Sequence, residues 1–150
     1  MVSVVLDSNL LLLLVVGIAD RTYIKKHKRL QAYNEGDFDL LRQLIAPMST
    51  IVVTPNILTE ASNFAQQIAE PARTRIATAF AALLDGLDEQ YVSSTQAAAQ
   101  PEFSRLWLTD SGILNRMTNE HVLLTADLSL YLAAERRGHK AINYTHLRDL

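Results

Sequence analysis

Four acidic residues end or interrupt apolar stretches of the sequence: Asp7, Glu60, Asp110 and Asp127. Asp7 and Asp127 each follow a run of apolar residues that predicts a buried strand. Glu60 and Asp110 lie instead within predicted helices. Carboxylate oxygens are the ligands that Mg²⁺ and Mn²⁺ prefer in proteins. The four residues therefore predict a divalent-metal site that could activate a bound water for hydrolysis.

Asp7 and Asp127 also have an ordinary alternative role, because each precedes an apolar helical run. An aspartate in that place often caps the helix by accepting a hydrogen bond from a backbone N–H of the first turn. The carboxyl ends of parallel strands, however, meet at the edge of an α/β sheet where ligands bind. Both roles stay open for these two residues.

Glu60 lies on the helix predicted after Pro55, three residues after Ile57 and four before Phe64. This spacing places Glu60 on the same inward face as the two apolar residues. The alternative is that Glu60 lies at the edge of the stripe, with its carboxylate in water.

Asp110 falls in the middle of another apolar stripe. The other members of this stripe are Phe103, Trp107, Leu114 and Met117. An unpaired buried anion would cost several kcal/mol, so we expect Asp110 to be paired, protonated, metal-bound or in a water-filled cleft. The alternative is a helix break over 109–112, with Asp110 as a cap.

The composition limits the kinds of function that the chain can have. At 150 residues and 49% hydrophobic, it predicts one domain over 1–150 with a substantial core. The net charge of -2 and the pI of about 6.1 exclude a global positive field, so any nucleic-acid contact must be local. The absence of cysteine excludes disulfides and thiolate metal sites, and we expect a cytoplasmic protein.

The apolar stretch from Leu10 to Val16 resembles a signal or anchor segment at first sight. No Lys or Arg precedes it, and Asp7 and Asn9 interrupt it. A spanning helix also needs roughly 20 uninterrupted apolar residues. We therefore predict a buried helix and no membrane segment.

Elements of the two types alternate along the chain. Predicted strands cover 2–6, 50–54, 91–95, 121–125 and 140–144. The first predicted helix follows the first strand and reaches to about 17. The second begins after a cap at Asp37. The other predicted helices cover 55–69, 71–84, 102–118 and 128–137. The polar segment 18–34 has no clear pattern. This alternation predicts an α/β fold with a mostly parallel central sheet flanked by helices on both faces.

Taken together, the acidic segments resemble those of PIN-domain ribonucleases, including the toxins of bacterial and archaeal toxin–antitoxin pairs. The family's opening strand and first acid are similar to Val4-Val5-Leu6-Asp7-Ser8-Asn9. Its helix with a glutamate is similar to segment 54–60. Segments 108–114 and 123–127 resemble its third and fourth acidic motifs, although 128–130 carry no second acid. The resemblance covers nearly the whole chain, and the order and spacing of the segments carry it.

The resemblance implies a single PIN-like domain that hydrolyses RNA with one or two Mg²⁺ or Mn²⁺ ions. Asp7, Asp110 and Asp127 would then be the metal ligands, and Glu60 would bind the metal or position the water. The resemblance also implies a homodimer and, for a toxin, a cognate antitoxin protein.

Asn9 and Thr125 are candidate hydrogen-bond partners for the metal-binding acids. Asn9 follows Asp7 by two residues, and Thr125 precedes Asp127 by two. Polar side chains behind metal ligands orient those ligands and tune the metal. The alternative for both residues is a role in a turn or a cap.

The densest group of basic residues lies within 18–34. Its members are Arg21, Lys25, Lys26, Lys28 and Arg29, with His27 among them. Contact with an RNA backbone is one role for this group, and a solvated surface is the other. A smaller basic group over 136–140 suits the end of the preceding helix.

Other classes of protein fit the sequence less well. A haloacid dehalogenase-type phosphatase needs a second aspartate where Asn9 stands, and a receiver domain needs a lysine that 141–146 lacks. No glycine-rich phosphate loop is present. Two alternatives remain: a housekeeping RNA-processing nuclease of the same family, and a non-catalytic module that binds RNA or protein.

Overall fold

The structure is a computed structural model that describes residues 2–148. Its five strands form one parallel sheet in the order β3-β2-β1-β4-β5. The strands are β1 (Ser3–Leu6), β2 (Ile51–Val53), β3 (Leu87–Glu89), β4 (His121–Thr125) and β5 (Lys140–Asn143). This sheet, flanked by helices, confirms the predicted α/β fold class.

Eight α-helices connect or follow the strands in the described part of the chain. They are α1 (Ser8–Ala19), α2 (Glu35–Ile45), α3 (Pro55–Ala65), α4 (Ala72–Leu84), α5 (Ser94–Ala98), α6 (Phe103–Arg116), α7 (Leu128–Arg136) and α8 (Tyr144–Arg148). Two 3₁₀ turns, Arg21–Tyr23 and Lys28–Leu30, lie between α1 and α2.

The strand order reverses direction at β1. From β1 the chain moves outward to β2 and β3, and it then returns to the other side of β1 to form β4 and β5. Helices α1 to α4 pack together, as do α5 to α7. Because parallel crossovers are right-handed, these two groups lie on opposite faces of the sheet. The carboxyl ends of β1 and β4 therefore form the switch point at which α/β proteins bind ligands.

Helix α1 is the centre of the core on its face of the sheet. Every residue from Leu10 to Val16 is at most 2% exposed. The helix is enclosed by α2, α3 and α4, which explains why its apolar residues are not confined to one side. Within residues 2–148, every helix is too short or too polar to cross a membrane.

The segment after α1 is fixed by buried anchors, although its sequence shows no periodicity. Ile24, His27 and Leu30 are fully buried. A ring nitrogen of His27, Nε2, lies 3.3 Å from the carbonyl oxygen of Ala65. Burial lowers the pKa of this histidine. The segment therefore packs on the carboxyl end of α3.

The prediction of a strand over 91–95 is wrong. The strand lies earlier, at Leu87–Glu89, and the side chain of Ser93 caps α5 by accepting a hydrogen bond from Gln96 N. Strand β3 escaped prediction because it is an edge strand with exposed acidic residues and only one apolar residue. Its pairing with β2 determines its conformation.

Two helix boundaries also differ from the prediction. Helix α3 ends at Ala65 instead of about 69. Helix α2 is capped by Asn34, and Asp37 is the third residue of a reciprocal capping box. Asp37 is buried because Tyr144 and Arg148 also donate hydrogen bonds to its carboxylate.

Candidate active site

Asp7 lies at the carboxyl end of β1 and accepts three hydrogen bonds. Leu10 N donates to Oδ1 at 2.8 Å, while Thr125 Oγ1 and Ala126 N donate to Oδ2 at 2.5 and 3.0 Å. The sheet register explains the meeting with Thr125, because Leu6 pairs with Leu124. Burial raises the pKa of Asp7, and the three hydrogen bonds oppose that rise. Asp7 is therefore a firmly held carboxylate.

Asp127 is joined to Asp7 through one hydroxyl. Thr125 Oγ1, which donates to Asp7, accepts a hydrogen bond from Asp127 N at 2.9 Å. The Asp127 side chain is exposed, and its Oδ1 accepts from Leu130 N at 3.0 Å. Both strand-end aspartates are thus helix caps, as the ordinary alternative predicted. Capping uses Oδ1 of each carboxylate: Oδ2 of Asp127 accepts no hydrogen bond from the described residues, whereas Oδ2 of Asp7 accepts two, so Asp7 keeps one acceptor site, on Oδ1.

Glu60 and Asp110 reach the site from α3 and α6. Thr109 Oγ1 donates to Glu60 Oε2 at 3.3 Å and links the two helices. Glu60 and Asp110 line one cavity of about 260 Å³, together with Thr109 and Trp107. Both acids are partly exposed, so each has access to water. The partial exposure of Glu60 and Asp110 is typical of an open cleft and not of a buried ion pair.

The pKa of Asp110 reflects its burial and the charges of the other three acids. Burial, followed by repulsion from Asp127, Asp7 and Glu60, raises the pKa of Asp110 to about 7. The structure therefore brings all four predicted acids into one electrostatic neighbourhood. Clusters of this kind, with one strongly perturbed carboxyl group, are typical of functional sites.

The donor set can be tested against the divalent metal that the sequence implied. Its chemistry fits, since carboxylates are the preferred ligands of Mg²⁺ and Mn²⁺. Ser8 and Ser111, which directly follow Asp7 and Asp110, have buried hydroxyls without hydrogen-bond partners in the described chain. Such groups usually interact with water or an ion.

The spacing of the acids is wider than a metal site requires. Among residues 2–148, no three His, Cys, Asp or Glu side chains are arranged to hold a metal ion. Mutual repulsion between carboxylates favours such separation in the absence of a cation. The residues therefore fit a metal by type and by location, and their side chains would have to move closer to coordinate it.

The predicted supporting and RNA-binding residues have different positions. Asn9 is exposed in the first turn of α1, whereas Thr125 is buried between the two strand-end aspartates. In the basic group, Arg21 binds Asp39 at 2.7 Å. The guanidinium of Arg29 lies 3.9 Å from the ring centre of Phe64.

The three lysines of the group, Lys25, Lys26 and Lys28, are exposed, and none forms an ion pair within the described range. They are therefore free to contact a phosphate backbone. Phe64 is one helical turn beyond Glu60, so Arg29 lies about one turn of α3 from that acid.

Two residues near the acids were missed at the level of sequence. Burial and the charge of Asp7 raise the pKa of Tyr33 to about 12, which places this tyrosine near Asp7. Its segment has no periodicity from which the position could be predicted. Trp107 was assigned to the inward stripe, but it is 66% exposed. The stripe prediction is wrong there because the helix is interrupted at Trp107 itself, where φ is 61° and ψ is -166°.

Comparisons with known proteins do not add a family to these observations. No family model matches the chain, and no curated protein matches it significantly.

Proposed function

We propose that the protein is a divalent-metal-dependent endoribonuclease. The observations that support this proposal are that Asp7 and Asp127 share the Thr125 hydroxyl at the switch point of a parallel sheet, that Glu60 and Asp110 line one cavity, and that the charges of Asp7, Glu60 and Asp127 act on Asp110. Ligand sites of α/β proteins lie in this place. The resemblance of the acidic segments to PIN-domain ribonucleases supports RNA as the substrate.

The residues would have distinct roles in this reaction. Asp7, which is fixed by three donors, would hold the cation together with Asp110 and Asp127. A bound Mg²⁺ or Mn²⁺ supplies charge for the phosphate oxygens and lowers the pKa of a coordinated water. Glu60, which Thr109 orients, would bind the cation or position the attacking water.

The cation requirement follows from the charges at the site. A phosphodiester that approaches four carboxylates is repelled unless a cation neutralises them. Asp110 with a pKa of about 7 is partly protonated at neutral pH, and a bound cation would lower that pKa and ionise it. We therefore expect cleavage to depend strictly on a divalent cation.

Several further parts of the proposal come from the resemblance alone. They are a homodimer and a role as the toxin of a toxin–antitoxin pair. A cytoplasmic location is proposed instead from the absence of cysteine. We propose that the RNA backbone contacts Lys25, Lys26, Lys28 and Arg29. Arg21 is not included because it forms an ion pair with Asp39. Growth arrest on expression, relieved by a small protein encoded beside this one, would support the toxin. Unchanged growth would favour a housekeeping RNA-processing nuclease.

The test is cleavage of a pool of single-stranded and structured RNA by purified protein, with Mg²⁺ or Mn²⁺ and with EDTA. Asp7→Asn and Asp127→Asn should abolish cutting, while Glu120→Gln, an exposed acid that precedes β4 at the opposite edge, should not. Circular dichroism shows whether each variant is folded. If the folded wild type does not cut RNA with either metal, the proposal fails, and a non-catalytic binding module becomes the better reading.

A further inference from the structure

Trp107 has a backbone conformation that L-residues rarely adopt. Its φ of 61° and ψ of -166° fall in a region that is essentially restricted to glycine. It is the only non-glycine residue with positive φ in the part of the chain that the structure describes. Strained residues of this kind cluster at functional sites, because the surrounding structure must maintain them.

The unusual conformation turns a large aromatic side chain out of the core. In an unbroken helix, Trp107 would share its face with Phe103 and Leu114, both of which pack inward or partly inward. Instead the indole is 66% exposed. Its ring lies edge-on to that of Phe103, with 5.5 Å between the ring centres. Phe103 contacts the indole on one side, and most of the Trp107 surface is exposed to solvent.

The position of the indole links it to the acids. Trp107 lines the same cavity as Glu60 and Asp110. A neighbouring groove, which shares Leu106 with this cavity, is lined by Arg105 and Arg136. Both arginines are exposed, and neither takes part in an ion pair within residues 2–148. The cavity that the indole shares with two carboxylates therefore borders a groove that carries two exposed arginines.

We propose that Trp107 stacks on an unpaired base of the RNA, so that the site takes single-stranded RNA and excludes base-paired RNA. This inference rests on the proposed function. Single-stranded nucleic acids are commonly held by aromatic side chains that stack on bases, with basic side chains on the phosphates. In a duplex, each base face is covered by its neighbours and is closed to the indole.

The charges around Trp107 favour RNA over a protein partner. Leu108 and Leu128 are also exposed, and with the indole they could form an apolar docking surface. However, an apolar protein surface would have to cover Arg105 and Arg136 without neutralising them. A polyanion neutralises both while its bases meet the indole.

The experiment uses the fact that Trp107 is the only tryptophan of the chain. Its intrinsic fluorescence therefore reports on this one side chain. We would titrate the wild type with a short single-stranded RNA of mixed sequence, and with the same RNA annealed to its complement. Each titration is done once with EDTA and once with Ca²⁺, so that binding without and with a divalent cation is compared. We expect the single strand to quench the fluorescence and the duplex to leave it unchanged.

Variants then measure how much the indole contributes to binding. Trp107→Gly tolerates the positive φ and so removes the indole without disturbing the backbone. By anisotropy of a labelled single strand, Trp107→Gly should bind roughly 5- to 150-fold more weakly than wild type, and Trp107→Phe should lie between the two. Ile18→Ala, which shortens an exposed apolar side chain at the far end of α1, should bind like wild type.

The result separates stacking from catalysis. Quenching by the single strand, with weak binding by Trp107→Gly, supports the stacking role even if no RNA is cut. Stacking is overturned if Trp107→Gly binds as tightly as Ile18→Ala, if the duplex quenches equally, or if the single strand does not bind. RNA cleavage with any of these three results would leave the proposed nuclease activity standing without a stacking role for Trp107.

Discussion

Replacing Asp110 with asparagine should stabilise the metal-free protein at neutral and alkaline pH. Burial and three neighbouring carboxylates raise the pKa of Asp110 to about 7, from an ordinary value of 3.8. The ionised form is therefore a source of instability in the folded protein. Asparagine keeps the size of the side chain and removes its charge.

The magnitude follows from the linkage between protonation and folding. A folded pKa of about 7 against 3.8 in the unfolded chain corresponds to roughly 4 kcal/mol once Asp110 is fully ionised. The penalty is absent below 3.8, grows as the pH rises, and is complete above about 7. Because the asparagine amide must also lose water, we expect a net gain of about 2 to 4 kcal/mol at about pH 8.

The assay is urea unfolding with EDTA at about pH 4 and about pH 8. The gain from Asp110→Asn should be small at the lower pH and large at the higher one. Glu120→Gln removes the same charge from an exposed site at the other edge and should change the free energy of unfolding by less than about 0.5 kcal/mol at either pH. Adding Mg²⁺ should stabilise the wild type more than Asp110→Asn.

Two results would refute this reasoning. A free energy of unfolding below that of wild type at the higher pH would show that Asp110 has a structural role as an anion. A gain that is the same at both pH values would show that neither burial nor the neighbouring carboxylates disfavour the charge of Asp110 in the folded protein.

Three further predictions concern the packing and the hydrogen bonds around the site. Thr125→Val should lower the free energy of unfolding by roughly 1 to 3 kcal/mol in urea titrations and reduce cleavage, because Asp7 and Asp127 N lose their shared hydroxyl. Gly17→Ala should lower the free energy of unfolding by roughly 1 to 3 kcal/mol despite the better helix propensity of alanine, because the new Cβ would lie 2.2 Å from the Phe38 ring. Adding Phe38→Leu should recover part of this loss. An unchanged free energy of unfolding in Gly17→Ala would contradict the packing. Arg137→Met should lower the free energy of unfolding above about pH 5, because Arg137 forms an ion pair with buried Glu102 and lowers the pKa of that carboxylate. In acid the difference from wild type should vanish, since Glu102 is then protonated and the ion pair is lost. A difference that persists in acid would indicate a packing role for Arg137.

The elements that are plainest in the sequence are those with a continuous run of buried apolar residues. Strands β1 and β4 and helix α1 have continuous apolar runs, and the structure places each near its predicted bounds. Strand β3 could not be predicted, because its pairing with β2 and not its composition determines its conformation. The same holds for the segment before Tyr33, which is fixed by a few buried anchors.

In the candidate site, too, the positions of some residues could be predicted from the sequence and those of others could not. The strand-end positions of Asp7 and Asp127 followed from the apolar runs before them, because register brings the carboxyl ends of neighbouring strands together. The partly buried position of Asp110 was also predicted. The outward turn of Trp107 was not, since helical periodicity assumes an unbroken helix, and the alternative of a break was placed over 109–112 whereas the break is at Trp107.

The hydrogen bond between Asp7 and Thr125 joins residues that are 118 positions apart. On the ribosome, β1 is therefore synthesised long before the strand that completes its surroundings. Until β4 pairs with it, one edge of β1 is open and Asp7 lacks two of its three donors. Closing so long a loop is slow relative to local helix formation. A nascent chain that ends before 121–125 would thus carry Asp7 without an assembled site, and any activity would begin only after the sheet has closed around it.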